Sequence, residues 1–349
     1  MPEPKAAILN TPFDAHGGPD GRAEPLFDFS VNSNPFGPPA PLLKHLTQTD
    51  IATYPDPTAH RAKQAAADKH GRSSAEITFG NGTAELIHRL AACYLRTDSK
   101  IVIAAPTFGE YLRAARLQGA EGVSVNSYEG LEPNPAPLIT AIKQHRPTLV
   151  FVCHPNNPTG HAWTKAQLDE LAKVCAEQDA LLVLDLAYLS LSDAPELALP
   201  ESAVQLCSLT KSFTVPGVRV GYALAPAEIV EVLERSAPPW QASSHAQAAA
   251  EWSLSEKGDA FLVETVPHVL AERKAVQREL KALDVEILPT HTTFFLCEVG
   301  DASEFKLEAE SAGFRVRDCS SFGLPEHIRL ATRLPEENKR LLEWWSNRG

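Results

Sequence analysis

The sequence predicts an α/β protein: a large domain with a mostly parallel sheet sandwiched by helices, plus a smaller α+β domain. Two observations support this fold class. The middle of the chain alternates short apolar runs with amphipathic stretches, which is the pattern of repeated strand–helix–strand units. At 349 residues the chain also exceeds one ordinary hydrophobic core, so we expect two domains that share a cleft.

Four apolar runs have the composition of buried parallel strands: "KIVIAAP", "TLVFVCHP", "ALLVLDLAY" and "AVQLCSLT". Helical patterns separate these runs. The stretch "TAELIHRLAACYLR" places Leu86, Leu90 and Tyr94 on one face. The stretch "TKAQLDELAKVCAEQ" begins with Thr164 and has Gln167 three positions later, which is typical of a capping box. The alternation predicts a parallel sheet with helices on both faces.

The pattern changes after residues 238–239. A long charged helical stretch at 259–283 leads to "VEILP", "TFFLCEV", "FRVRD" and "HIRLAT", which we interpret as shorter strands, and then to a final helix. The first 50 residues are rich in Pro, Gly and Asn and show little periodicity, so an ordered loop is expected there. The predicted units are an N-terminal segment joining the small domain (1–49), a large domain (50–240), and a linking helix with the small C-terminal domain (241–349).

Composition and charge exclude several classes of protein. Hydrophobic residues make up 44% of the chain and charged residues 22%, as in a globular protein. The net charge of −12 without a basic run argues against nucleic-acid and anionic-membrane partners, so a small-molecule substrate is expected. No apolar run reaches the roughly 20 residues of a membrane span, and no secretory signal is recognisable, which predicts a cytoplasmic protein. The six cysteines form no C-x-x-C pair, which indicates buried thiols rather than a metal site.

Chemically distinctive residues follow the predicted strands, where ligands bind in open parallel sheets. A Gly-rich turn enters a helix in "ITFGNGTAELI", asparagines follow a strand in "VCHPNNPTG", an aspartate ends "LLVLD", and a lysine ends "SLTK". Together they match the requirements of pyridoxal 5′-phosphate, which needs an amine for its aldehyde, an acid at its ring nitrogen and a phosphate cradle.

Each requirement has a candidate residue. Lys211 supplies the amine, and Asp185 keeps the ring nitrogen protonated. The backbone N–H groups of Thr83 and Ala84, at a predicted helix start, favour an anion such as the phosphate. Further phosphate donors are expected from a set of hydroxyl and guanidinium groups: Ser208, Thr210 and Arg219.

The stretch "SLTKSFTVPGVRVGY" resembles the S-x-[ST]-K-x(5)-G-x-R signature of the class I/II aminotransferase superfamily, the fold-type I pyridoxal-phosphate enzymes. The resemblance covers about residues 16 to 345 and implies the aminotransferase fold type I. It implies that Lys211 bonds to the cofactor and that Arg219 binds its phosphate. It also implies a homodimer, because Tyr54 in "TYPDP" matches a tyrosine that reaches the neighbouring subunit's phosphate. The remaining implied cofactor contacts are Asn157 and Tyr188 at the phenolic oxygen, Phe108 stacked on the ring, and Asn81, Gly82 and Thr83 in the phosphate turn.

Shorter motifs narrow the resemblance within the superfamily. "HGG", "DFSVNSNPFGPP", "PPW" and "VRDCSSF" are similar to those of the threonine-phosphate decarboxylases of the cobalamin pathway, with the histidinol-phosphate aminotransferases as near relatives. Both groups act on phosphorylated substrates. The resemblance implies that Arg329 and Arg317 bind the substrate's anions and that Asn34 and His16 close the pocket. Decarboxylation and transamination both remain open.

The sequence disfavours two other classes of protein. A non-catalytic module that keeps the cofactor fold is disfavoured, because a lysine and an electron-sink acid together serve chemistry and no DNA-binding arm is attached. A nicotinamide-dependent dehydrogenase is disfavoured because "GNGTAE" lacks the G-x-G-x-x-G spacing.

Overall fold

A computed structural model of the chain describes residues 2–13, 17–18, 24–129 and 132–348. The strands form a seven-stranded sheet, a three-stranded sheet and two short pairs. In chain order they are β1 (Phe27–Asp28), β2 (Ile77–Gly80), β3 (Lys100–Ala105), β4 (Glu121–Asn126), β5 (Tyr128–Glu129), β6 (Glu132–Pro133), β7 (Leu149–Cys153), β8 (Leu181–Asp185), β9 (Val204–Ser208), β10 (Gly221–Leu224), β11 (Phe294–Glu298), β12 (Phe314–Arg315), β13 (Arg317–Asp318) and β14 (His327–Ala331).

Helices flank these strands along the described chain. In order they are α1 (Ala6–Asn10), α2 (Ala40–Thr47), α3 (His60–His70), α4 (Thr83–Tyr94), α5 (Glu110–Leu117), α6 (Pro135–His145), α7 (Lys165–Glu177), α8 (Leu209–Ser212), α9 (Ala227–Ser236), α10 (Ser244–Ser253), α11 (Glu256–Ala282), α12 (Ala302–Ser311) and α13 (Pro335–Ser346). Thr164 accepts a hydrogen bond from the Gln167 N–H, and the Gln167 side chain bonds back to the cap, so the predicted capping box of α7 is confirmed.

The large sheet has the strand order β2-β10-β9-β8-β7-β3-β4. Neighbours from β9 to β4 run parallel, whereas β10 runs antiparallel to both β9 and β2. This arrangement confirms the predicted mostly parallel sheet. The carboxyl ends of β7, β8 and β9 therefore lie side by side, which brings the residues that follow them to one edge.

Alternate residues of the central strands belong to two separate cores, because successive side chains of a strand point to opposite faces. Ile101, Ile103 and Phe151 pack on one face with residues of α4, α5 and α9. Val102 and Val152 pack on the other face with residues of α6 and α7. Burial of each such side chain stabilises the fold by roughly 1.5–3 kcal/mol. The sheet is thus covered by helices on both faces, as predicted.

The C-terminal part has its own core around the antiparallel sheet β11-β14-β13, packed against the end of α11 and against α12 and α13. Strand β1 pairs in parallel with β12, with Phe27 opposite Phe314, so the N-terminal segment adds to this smaller unit. The α+β character of the smaller unit agrees with the predicted fold class. The domain limits at 49 and 240 stay a prediction.

Three local expectations differ from the structure. "VEILP" forms no strand and contributes only an isolated bridge between Ile287 and Cys297. "FRVRD" splits into two short strands, because β12 pairs with β1 while β13 pairs with β14. The first 50 residues contain α1, β1 and α2 in addition to loop.

All six cysteines are free thiols, and Cys93 and Cys207 are half-buried rather than fully buried as predicted. In the part of the chain that the structure describes, no helix combines the length and the apolar character needed to cross a membrane.

Candidate active site

A cavity of about 440 Å³ lies at the carboxyl ends of β7, β8 and β9. It is also lined by the loop after β1 and by residues of the small sheet. Most of the residues predicted from the sequence line it: Gly82, Thr83, Ala84, Phe108, Asn157, Asp185, Tyr188, Ser208, Thr210, Lys211, Arg219, Arg317 and Arg329. These residues are dispersed over 248 positions of the chain, from 82 to 329, and the sheet topology is what brings them together.

Lys211 lies in the short helix α8, directly after β9. The turn is held by the Asn34 N–H, which donates to the Lys211 carbonyl at 2.9 Å, and by a 2.6 Å bond between the hydroxyls of Ser190 and Ser212. Burial lowers the pKa of Lys211 to about 8, with smaller contributions from the charges of Arg329 and Arg219. A larger share of this amine is therefore neutral near pH 7 than of an ordinary lysine.

Asp185 is the last residue of β8 and is only 3% exposed. Its Oδ2 accepts a hydrogen bond from the Tyr111 hydroxyl at 2.8 Å, and its Oδ1 accepts one from the Ala187 N–H at 3.0 Å. Burial raises the pKa of Asp185, and these two hydrogen bonds counteract the rise. A carboxylate that is desolvated and aimed at a cavity favours a cationic partner there.

The turn for which the sequence predicts phosphate binding, at Asn81 and Gly82, lies between β2 and α4. Gly82 precedes α4 with φ +82° and ψ 168°, a region that is essentially restricted to glycine. A Cβ atom on Gly82 would lie 2.7 Å from Arg219 Nη2, so the turn also needs glycine for space. Arg219 donates to the Asn81 carbonyl at 3.2 Å and to the Pro216 carbonyl at 3.0 Å. These bonds hold the guanidinium beside the first N–H groups of α4, an arrangement suited to an anion.

Two further groups line the same cavity. The hydroxyls of Ser208 and Thr210 lie 2.8 Å apart and can both rotate to donate into the cavity. Tyr188 is packed edge-on against Phe294, and burial raises the pKa of its phenol to about 12 although the charge of Arg329 opposes the rise. The Tyr188 hydroxyl is therefore a neutral donor near pH 7.

Arg329 connects three parts of the molecule. From β14 it donates through Nη1 to Asn157 Oδ1 and through Nη2 to the Ser30 carbonyl at 2.8 Å. Its Nε is buried without a hydrogen-bond partner, and its guanidinium carbon lies 5.4 Å from the centre of the Phe294 ring. Burial lowers the pKa of Arg329. Within the described residues no carboxylate is paired with it, so the cavity contains a desolvated cation with spare donors.

Arg317 lies opposite Arg329 in the register of β13 and β14. It donates to the Ser321 hydroxyl at 2.8 Å, and its guanidinium lies 5.3 Å from the centre of the Phe322 ring. Ser321 and Phe322 also line the cavity. Two cations on one wall, side by side, make this end of the cavity suited to anions.

Four predicted site residues are not among the cavity-lining residues. Asn34 is fully buried, and its amide donates to Thr265 Oγ1 at 2.9 Å, so it holds the loop rather than facing a ligand. Asn81 contributes its carbonyl to Arg219 from outside the cavity. Tyr54 is 78% exposed and is stacked on Trp240 at 4.5 Å. His16 lies outside the described residues.

The structure adds residues that sequence reasoning missed. Asn32, two positions before Asn34, lines the cavity, and its buried amide interacts with the Tyr188 phenol without a hydrogen bond of good geometry. The hydroxyl of Tyr111 donates a hydrogen bond to the carboxylate of Asp185. Tyr111 could have been identified from "PTFGEY", because it lies three positions after Phe108, the predicted stacking residue. In the loop that contains Asn32, no sequence feature distinguishes Asn32 from Asn34 as the residue that faces the cavity.

The residues present fit pyridoxal 5′-phosphate. The cavity combines an amine of lowered pKa, a buried carboxylate, and a glycine turn at a helix start beside an arginine. The Nε of Arg329, which has no hydrogen-bond partner, leaves a donor for a further anionic ligand.

Comparisons with known proteins agree with this geometry. The family model described as aminotransferase class I and II matches residues 24–344. Histidinol-phosphate aminotransferase 1 of Archaeoglobus fulgidus is 30% identical, with 91% of this chain and 98% of that protein covered. A putative threonine-phosphate decarboxylase of Caldanaerobacter subterraneus is also 30% identical, with 89% and 87% covered.

Solved structures share the fold. The L-threonine-O-3-phosphate decarboxylase of Porphyromonas gingivalis superposes with a TM-score of 0.80 at 26% identity, with 92% of this chain and 99% of that chain covered. The histidinol-phosphate aminotransferase of Sinorhizobium meliloti in complex with pyridoxal-5′-phosphate gives 0.89 at 22% identity, with 99% and 97% covered. The expected fold type, cofactor and enzymatic character are thereby confirmed. The chain belongs to the class I and II aminotransferases, a family of enzymes that depend on pyridoxal phosphate.

Proposed function

We propose that this enzyme decarboxylates an amino acid that carries a second anion, in the manner of an L-threonine-O-3-phosphate decarboxylase. The observation that carries the proposal is the pairing of Arg317 with Arg329 across β13 and β14. Like charges directly opposite in a sheet destabilise each other, and a ligand with two anionic groups relieves that repulsion. Threonine phosphate offers one carboxylate and one phosphate to the two guanidinium groups.

The residues proposed to hold the cofactor surround the cavity on three sides. Lys211 would bond to its aldehyde carbon, Phe108 would stack on its ring and Asp185 would face its ring nitrogen. Asn157 accepts from Arg329 through Oδ1, which leaves its amide N–H groups as donors for the phenolic oxygen alongside Tyr188. The proposed phosphate ligands are the turn at Asn81, Gly82, Thr83 and Ala84, the hydroxyls of Ser208 and Thr210, Arg219, and Tyr54 of a second subunit.

Pyridoxal phosphate, when bound, supplies a protonated ring that accepts the electron pair left on the substrate's α-carbon when a bond to that carbon breaks. The chain's own residues govern which bond breaks. Arg317 and Arg329 fix the two anions and hence the orientation of the α-carbon. Lys211, with a pKa near 8, accepts and donates a proton at pH values close to neutral. Asp185, whose two hydrogen bonds favour the charged form, would place its carboxylate next to the ring nitrogen.

Transamination of histidinol phosphate is the second candidate. It is favoured by relatives such as the histidinol-phosphate aminotransferases of Archaeoglobus fulgidus and Thermoanaerobacter, which cover about nine-tenths of the chain. Histidinol phosphate has a phosphate but no carboxylate, whereas threonine phosphate presents two separate anions to the two arginines. This difference is the reason for ranking decarboxylation first.

One experiment separates the two reactions. The holoenzyme is incubated with threonine phosphate and, separately, with histidinol phosphate and 2-oxoglutarate, while CO₂ and glutamate are followed. We expect CO₂ from threonine phosphate without glutamate in the second mixture. Glutamate without CO₂ would show that the enzyme transaminates histidinol phosphate instead.

The proposal includes a homodimer, a cytoplasmic location and a role in cobalamin biosynthesis. Tyr54 lies outside its own subunit's cavity and forms an exposed aromatic pair with Trp240, which supports a contact with a second copy. Sedimentation should give a dimer, and Tyr54→Phe should weaken cofactor binding. A monomer that binds the cofactor with full affinity contradicts the proposed dimer.

A further inference from the structure

We propose that Tyr111 is a positioning residue that keeps the Asp185 carboxylate ionised and oriented towards the cavity. The inference rests on the proposed place of Asp185 at the cofactor's ring nitrogen. Tyr111 lies in the first turn of α5, has no exposed surface, and donates its hydroxyl proton to Asp185 Oδ2 at 2.8 Å. It does not line the cavity, so it acts only through Asp185.

The ring of Tyr111 is fixed by aromatic neighbours. It stacks on Phe151 with ring centres 4.8 Å apart and planes 8° apart. A second aromatic contact is with Phe108, which meets the ring edge-on with ring centres 5.7 Å apart. Phe108 and Tyr111 are three positions apart at one helix start, so the same turn carries the proposed stacking ring and the hydroxyl that holds the acid.

Asp185 depends on hydrogen bonds because its titratable neighbours are neutral. These neighbours are Tyr111 on α5, Cys153 on β7, Cys207 on β9, and Tyr188 after β8. Burial raises the pKa of each of these groups above its ordinary value, so none of them carries a charge near pH 7. Among the described residues no cation forms an ion pair with Asp185, and burial raises its own pKa.

Two donors therefore oppose protonation of Asp185: the Ala187 N–H at Oδ1 and the Tyr111 hydroxyl at Oδ2. The first is a backbone group that every sequence provides. The second is a side chain that a single substitution removes. A carboxylate accepts about four hydrogen bonds, so each oxygen retains a lone pair for the cofactor. The Tyr111 bond thus stabilises the charge without occupying the position that a ring nitrogen needs.

The test uses Tyr111→Phe, which keeps the ring and its stacking. The matched control is Tyr222→Phe, because the hydroxyl of Tyr222 is also buried and hydrogen-bonded, at 2.8 Å from His70 Nε2, but away from Asp185. The full chain freed of cofactor is titrated with pyridoxine 5′-phosphate, which has no aldehyde, so that the bond to Lys211 does not contribute. The dissociation constant is measured at a series of pH values, together with thermal unfolding.

We expect Tyr111→Phe to weaken binding about tenfold or more near pH 7, since a hydrogen bond to a charged group is lost. Loss of that bond raises the pKa of Asp185, so affinity should disappear at a higher pH as the solution is acidified. Tyr222→Phe should bind as the unmodified chain does. An unchanged affinity and pH profile in Tyr111→Phe, or an equal loss in both variants, overturns the inference.

A third variant separates this inference from the proposed role of Asp185. Asp185→Asn removes the carboxylate itself. If it binds pyridoxine phosphate with full affinity at every pH, the role proposed for Asp185 is wrong. If it loses affinity while Tyr111→Phe retains it, only the inference about Tyr111 is wrong.

Discussion

Lys211 is the residue on which the proposed chemistry depends, and its environment differs from that of a surface lysine. The side chain enters a cavity whose other cations are Arg219, Arg317 and Arg329. Burial and the charges of Arg329 and Arg219 bring its pKa from 10.5 to about 8. Since the neutral amine is the nucleophile, reactivity should increase with pH and level off above that value.

The first prediction follows from this pKa. In the cofactor-free chain, the rate of absorbance change after mixing with pyridoxal phosphate should rise with pH and be half-maximal near pH 8. Lys165→Ala, at an exposed lysine paired with Asp169, is the control and should leave the profile unchanged. A rate that keeps rising to the ordinary lysine pKa of 10.5 contradicts the cavity environment.

Single residues were predictable where a local pattern fixes their position. Lys211 and Asp185 follow apolar strands, and parallel strands end at one edge of the sheet, so sequence alone places them together. Asn34 was expected at the ligand, but Asn32 is the asparagine that lines the cavity. Both lie in the same irregular loop, where no periodicity indicates which side chain points inward. Tyr111 was missed because its partner is distant in sequence.

At the scale of elements, the start of α4 combines a glycine turn with an arginine from a distant loop. Gly82 has a backbone conformation that side chains rarely adopt, and its missing Cβ leaves room for Arg219. Gly71, after α3, also has a positive φ of +62°, but nothing lies within 4 Å of the Cβ it would carry. Comparison of the two glycines therefore distinguishes two effects of adding a Cβ atom. Backbone strain occurs at both positions, whereas a clash with Arg219 occurs only at Gly82.

The second prediction compares alanine substitutions at Gly71 and Gly82. Gly71→Ala should cost about 1–2 kcal/mol of unfolding free energy with unchanged cofactor affinity, because only the backbone is strained. Gly82→Ala should cost more in stability and should also weaken cofactor binding, since Arg219 must move. Chemical denaturation and cofactor titration measure the two effects. Full cofactor affinity in Gly82→Ala would show that Arg219 needs no fixed position.

Buried strands could be predicted from the sequence, whereas exposed strands could not. The central strands β3, β7, β8 and β9 are continuous apolar runs and were all expected. Strand β4 was not, because it is a half-exposed edge strand with the polar sequence "EGVSVN". "VEILP" was wrongly expected to be a strand: it has an apolar pattern, but only one of its residues pairs, through an isolated bridge to Cys297.

At the scale of the whole molecule, Arg329 links the small sheet, the N-terminal segment and the large sheet through its bonds to Ser30 and Asn157. This guanidinium is buried without a carboxylate among the described residues, and one of its nitrogens has no partner. Desolvation of an unpaired charge lowers stability, so an anion bound there should stabilise the entire fold. The hydrogen bond between Arg329 and Asn157 could not be predicted from the sequence, because 172 positions separate the two residues.

The third prediction tests this link by thermal unfolding. The chain is loaded with pyridoxine 5′-phosphate, which has no aldehyde and therefore prevents turnover. Threonine phosphate at 100 times its dissociation constant for the unmodified chain should stabilise this complex by about 2.7 kcal/mol. In Arg329→Gln the ligand-induced shift should largely vanish, whatever the variant's own stability. Arg278→Gln, at an exposed arginine of α11, should retain the shift. An equal shift in both variants would mean that the substrate's anion binds elsewhere.

The proposed function depends on the proposed bond between Lys211 and the cofactor. The most direct measurement treats the cofactor-loaded protein with borohydride, which makes that bond permanent, and locates the added mass by peptide mass spectrometry. We expect a phosphopyridoxyl group on the peptide that contains Lys211. In Lys211→Ala, we expect no specific attachment of this group to any peptide. A label on another lysine in the unmodified protein, or no label at all, would contradict the proposed bond.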